Sequence, residues 1–281
     1  MKSPQTCSTQ SSTNQPKVLV FSIALNGYQW LYKELGMTQK AYADCRGYRY
    51  IQVQRPWFST LGREVCWLKV CLALASLRSG YEWVVFLDAD TRVAAATPDI
   101  ESLAQTGHHL YVAKGFSGRL NSGVLIMRRH PDMLQVLQSA LAIATRPVAK
   151  ECDVGWGENG HLIQLCQQAK FVHYLDPKWN NNHNPELQDY IRHFSAGPLH
   201  HHYQAPWLPR TIARSVYLGA RVLQVMNTVV TGDSNSRFLA NLEQLTTGIV
   251  ERYPDFLLSP STQHTHFGLH HDRECSETIS I

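Results

Sequence analysis

From Lys17 to about Trp207 short apolar runs alternate with longer amphipathic ones, the pattern of strands and helices taking turns along a chain. The first run, Lys17-Val-Leu-Val-Phe-Ser-Ile-Ala-Leu25, is rich in β-branched residues and reads as a buried strand closed by the polar Asn26 and Gly27. Residues 29–46 predict a helix and Gly47 to Val53 the next strand, which together make a first β-α-β unit. From Glu64 to Leu77 nearly every position is apolar, with Ser79-Gly80 as a stop signal, so this helix is expected to be buried on most sides. Lys69 is its one interior charge.

Trp83-Val-Val-Phe-Leu87 is a continuous apolar strand that breaks into Asp88-Ala89-Asp90-Thr91, the sharpest change of polarity in the sequence. Leu110 to Ala113, Gly123 to Met127 and Phe171 to Leu175 predict further strands, and Pro131 to Ile143 and Glu158 to Cys166 predict helices. Beyond Trp207 the pattern becomes helical, roughly over 208–227 and 236–252. The expected plan is a leader over 1–16, an α/β domain over 17–207, a helical extension over 208–258 and a tail over 259–281. The domain should be a Rossmann-like, mostly parallel sheet flanked by helices.

Composition narrows this only a little. The 281 residues are 44% hydrophobic and 17% charged, which fits neither a disordered chain nor a membrane bundle. A formal charge of +4 with scattered basic residues gives little support to nucleic-acid binding. The seven cysteines form no C-x-x-C pair and are odd in number, which favours a reduced compartment; Cys66 and Cys71 are expected to behave as core residues. With no apolar export segment and no run of 18 uncharged apolar residues, a cytoplasmic location is expected.

Asp88 and Asp90 carry the clearest chemistry. Two carboxylates about 4 Å apart repel by roughly 4 kcal/mol at an effective dielectric near 20, and a bound divalent cation removes that penalty. Carboxylates at the end of a core strand also stand where open α/β sheets place ligands. Exposed turn aspartates are common, but a core strand seldom ends in paired charges without a partner. His193 and the His200-His-His202 run lack a second cluster at structural zinc spacing, so zinc is set aside. Arg210, Arg214 and Arg221, at offsets of 4 and 11, share a helical face that is either merely solvated or a patch gripping an anionic acceptor or a membrane surface.

Several blocks, in order, resemble those of GT-A nucleotide-diphospho-sugar transferases, nearest to glycosyltransferase family 34 and more distantly to the glycogenin-like family 8. They are Ala41 to Tyr48, Trp67-Leu-Lys69, Trp83 to Asp90, Asn121-Ser-Gly-Val124, Glu158-Asn159 and His193-Phe-Ser-Ala-Gly197, within a match spanning about 17–207. The resemblance implies a metal held by Asp88, Asp90 and His193, with Mn²⁺ or Mg²⁺ as the cofactor; an imidazole beside two carboxylates shifts preference toward Mn²⁺. It implies a donor site of Ser22, Lys69, Asp88, Ala89, Asn121, Ser122, Gly123 and Gly197, with His200 standing where the glycogenin-like enzymes place a diphosphate-contacting lysine. Glu158 and Asn159 match the acid and amide of the sugar-acceptor side, although the family usually has Gln where Asn159 stands, and with Asp90 they are the candidate catalytic residues. The implied reaction moves a sugar from a nucleotide diphosphate, expected to be UDP, to an acceptor hydroxyl with retention of configuration. Two rivals stay open on the residues alone: a metal-dependent nucleotidyltransferase or phosphohydrolase, and a nucleotide-sugar-binding module without turnover.

Overall fold

A computed structural model describes residues 16–59, 61–62, 64–155, 157–195, 197–231 and 235–258. Nearly all of the expected leader, the expected tail, and Cys7 and Cys275 lie outside the described residues, as does Ala196 of the His193 to Gly197 block.

Six strands form the central sheet: β1 (Val18–Ile23), β2 (Arg49–Val53), β3 (Trp83–Asp88), β5 (Leu110–Val112), β6 (Val124–Arg128) and β7 (Val172–Tyr174). Their order is β2-β1-β3-β6-β5-β7, and only β6 runs against the others, so the mostly parallel sheet expected from the sequence is present. β4 (Thr91–Val93) pairs with β8 (Ile191–His193) in a separate antiparallel ribbon.

Alternation along β1 explains the layering. Leu19 and Phe21 face one way, into a core shared with α3 (Glu64–Ser79), α4 (Pro131–Ala142) and α5 (Asn159–Cys166), whereas Val18 and Val20 face a second core under α2 (Lys33–Arg46). α3 is buried along most of its length, as its apolar run requires, and ends where Gly80 takes φ 121°. The single helix expected over 29–46 is two, α1 (Tyr28–Leu31) and α2, interrupted at Tyr32, whose φ of −111° and ψ of 23° leave the helical region. Cys71 is in the core, but Cys66, in the first turn of α3, is exposed although its neighbours Val65 and Trp67 join the core.

The two C-terminal helices behave differently. α7 (Asn235–Arg252) joins the α3 core through Phe238, Leu242, Ile249 and Val250. α6 (Trp207–Thr231) lies against α1 and presents much of its circumference to solvent.

Candidate active site

The carboxyl end of β3 sets the centre. Leu87 is the last core residue of the strand, and the chain then turns through Asp88, Ala89 and Asp90 into β4. Gln39, buried on α2, fixes that turn: its Nε2 donates to Asp88 O at 3.0 Å and to Thr91 O at 3.0 Å. The β4–β8 ribbon brings the distant histidine in, because Thr91 pairs with His193 and Phe194 N donates to Asp90 O at 3.0 Å. His193 Nε2 thereby stands 3.5 Å from Asp88 Oδ2 and 3.2 Å from Asp90 Oδ1. Ala89 is buried behind this turn, packed with Phe194 and Leu199.

The donor set suits a divalent cation. One ligand atom from each of Asp88, Asp90 and His193 falls within 4.8 Å of the other two. His193 Nδ1 lies 2.9 Å from Asn180 Oδ1, an acceptor for an Nδ1 proton, and Nε2 is the nitrogen turned toward the carboxylates, where it can serve as the ligand atom. Glycine at 123 leaves the space open, since a Cβ there would stand 2.1 Å from His193 Cε1 and 2.8 Å from Asp88 Oδ2. A second triple, His109, His130 and Asp132, also brings one ligand atom of each within 4.8 Å of the others, but it sits at the opposite end of the sheet, with its imidazoles stacked at 3.6 Å between centroids and its carboxylate exposed.

Charge is balanced by Lys69. Its ammonium is enclosed on α3, 2.8 Å from Glu158 Oε1 and 3.6 Å from Asp88 Oδ1, over the ring of Phe86. Burial alone would depress this lysine, but Asp88 and Glu158 raise it above the ordinary range, so it is a cation. Burial lifts the Asp88 carboxyl even with Lys69 beside it, while Asp90, under the same burial, is held low by His193. His193 is in turn raised by Asp90 against the effect of its own burial.

Glu158 and Asn159, at the start of α5, are turned inward. Glu158 is 3% exposed and also accepts from Ser122 Oγ at 2.7 Å, and Asn159 Oδ1 accepts from Ser122 N at 3.0 Å. Asn121 Oδ1 accepts from Gly123 N at 2.9 Å, and Asn180 Nδ2 donates to Asn121 O at 3.2 Å. Asn121, Ser122 and Gly123 are therefore joined both to the histidine and to the Lys69–Glu158 pair. Gly197 lies close to Phe116 and Asn182, and a Cβ there would come within 3.3 Å of the Phe116 ring. Ser22 is fully buried in β1, and its hydroxyl has no hydrogen-bond partner among the described residues.

His200 is set apart from the carboxylates. Its Nδ1 faces Phe194 O at 3.3 Å, and with Tyr32, Phe194, His201, Tyr203 and Arg210 it lines a cavity of about 480 Å³ beside the Asp88–Asp90 turn.

Two residues of this site escape a reading of the sequence. Asn180 orients His193, and Asn182, 1% exposed, has an Nδ2 with no hydrogen-bond partner among the described residues, next to Gly115. Both sit in the Trp179-Asn-Asn-Asn-His-Asn184 segment, whose only signal is its unusual density of amides.

No family model and no curated protein matches the sequence. Solved structures do match. A glycosyltransferase involved in the glycosylation of the major capsid of PBCV-1 shares 14% identity at a TM-score of 0.51, over 72% of this chain and 100% of that one. The glycosyltransferase GlyE of Streptococcus pneumoniae TIGR4 gives 14% and 0.46 over 76% of this chain and 63% of its own. Mouse xyloside xylosyltransferase 1 gives 11% and 0.35 over 64% and 97%. The first of these shows that the chain shares its mostly parallel α/β fold with that glycosyltransferase.

Proposed function

We propose that the protein is a metal-dependent glycosyltransferase that moves a sugar from a nucleotide diphosphate, UDP being the expected nucleotide, to an acceptor hydroxyl. The observation that carries this is the convergence of Asp88, Asp90 and an Asn180-oriented His193 at the carboxyl end of a central strand in a glycosyltransferase fold. Bound there, a divalent cation, with Mn²⁺ favoured by the imidazole, would neutralise the diphosphate as its bond to the sugar breaks.

The chain's own residues supply the rest. Asp88 and Asp90 offer oxygens on one side, and Lys69 offsets part of their charge from beneath. The loop Asn121-Ser122-Gly123 presents backbone and amide groups beside the cation position, held by Asn159 and Asn180, which suits recognition of sugar hydroxyls. Glu158 is engaged by Lys69 and Ser122, so we assign it to positioning that loop rather than to touching the acceptor. In the cavity beside the turn, Arg210, His200 and His201 suit an anionic portion of the donor or acceptor. Overall, the anomeric carbon exchanges its bond to the diphosphate oxygen for one to the acceptor oxygen, and the acceptor proton leaves with the diphosphate or to solvent. Retention of configuration is carried by the family resemblance alone.

The test is a panel of UDP-sugars incubated with the protein, Mn²⁺ and mixed sugar acceptors. Release of UDP together with a glycosylated product supports the reading. Release of pyrophosphate or phosphate without sugar transfer points to the phosphoryl-transfer rival, and tight donor binding without turnover to a binding module.

A further inference from the structure

We propose that α6 is a docking helix that lies in the surface of an anionic lipid bilayer. The helix is attached to the body by one narrow face. Ala213 and Ala220 are buried, and the Ala213 carbonyl packs so close to Gly27 that a Cβ there would come within 2.4 Å of it. Gln224 Nε2 donates to Ser59 O at 3.2 Å and to Leu61 O at 3.0 Å.

At about 100° per residue these anchors fall on one side of the helix, and the far side is apolar. Trp207 is 71% exposed, Leu218 54%, Val222 59% and Met226 57%, with Leu208 and Val225 also exposed among them. An exposed arc this rich in large apolar side chains, broken only by Thr211 and Ser215, marks an interaction site. Arg210, Arg214 and Arg221 run along one border of the arc and are themselves exposed. From Tyr190 to Gly232 the sequence contains no Asp or Glu.

That charge pattern selects the occupant. An apolar arc edged by arginines and free of carboxylates matches a layer of anionic headgroups over hydrocarbon, into which such a helix sinks sideways. A second copy of the same face would offer the arginines no carboxylate in return. No helix among the described residues is long and apolar enough to cross a membrane, so the arc is suited to lying on a bilayer and not to spanning one. Because Arg210 belongs both to this border and to the cavity beside Phe194, a docked helix sets that cavity at the bilayer surface.

Flotation of the full chain with vesicles tests this without donor or metal, so its result is separate from that of the transferase test. The protein should float with phosphatidylcholine vesicles containing phosphatidylglycerol, much less with phosphatidylcholine alone, and less as salt is raised. Replacing all three arginines by Gln should weaken binding on the order of a hundredfold, and Leu218→Asp with Val222→Asp should abolish it. These side chains are exposed, so circular dichroism should be unchanged. Quenching by brominated lipid should be smaller in Trp207→Phe. Failure to float with anionic vesicles, equal recovery with neutral ones, or a solution dimer that Leu218→Asp dissociates would each overturn the proposal, the last by giving the face to a second copy.

Discussion

Asn180 and His193 meet at 2.9 Å through Oδ1 and Nδ1, and this bond decides which nitrogen of the imidazole faces Asp88 and Asp90. Three short segments distant in sequence thus act as one unit: the end of β3, the Asn180 segment and β8.

Asn180→Ala should leave the fold intact and loosen the histidine. Mn²⁺ affinity, followed by the electron paramagnetic resonance of the free ion, should fall about 10- to 100-fold, the usual effect of removing such a partner. Unchanged affinity would show that His193 needs no orientation or does not bind the metal.

Gly123→Ala is predicted to abolish metal binding through sterics alone. The new methyl group would sit 2.1 Å from His193 Cε1, and either the imidazole or the loop must move. The same measurement checks it, with wild-type-like circular dichroism as the control.

The Lys69–Glu158 pair is expected to carry stability as well as geometry, because both members are enclosed and bonded at 2.8 Å. Lys69→Met alone should cost about 3–5 kcal/mol in urea unfolding by stranding a buried carboxylate. Lys69→Met combined with Glu158→Leu should recover much of that loss while donor binding stays impaired. If the double variant is no more stable than the single one, the penalty does not come from an unpaired charge.

Asn182 presents a buried Nδ2 with no partner among the described residues, while its Oδ1 accepts from Phe116 N at 3.0 Å. Asn182→Asp keeps the acceptor and removes the donor. The donor Kd should rise about tenfold if a substrate oxygen completes that amide, whereas a purely structural role would move stability and not Kd.

What the sequence disclosed follows physical lines. Strand β3 stands out because five core residues are followed at once by Asp88 and Asp90, and Lys69 because it is the lone interior charge of an apolar helix. The β4–β8 ribbon does not, since two strands of three residues each are too short to show a period of two. Without that ribbon the position of His193 could come only from resemblance to a family. Asn180 and Asn182 lie in coil, where roles are set by tertiary contacts and leave no periodic trace. Resemblance implies the acceptor side for Glu158, but its burial against Lys69 and Ser122 is a tertiary contact between the start of α5 and α3 that leaves no trace in the sequence. The exposed arc of α6 was equally hidden, because an apolar stripe in a sequence does not tell which way it faces.

A metal-dependent diphosphate site at Asp88, Asp90 and His193 is probed by titration calorimetry of UDP. Three runs are compared: wild type with Mn²⁺, wild type with EDTA, and Asp90→Ala with Mn²⁺. Binding is expected in the first and its loss in the other two. Equal binding in all three, or none in any, would contradict such a site.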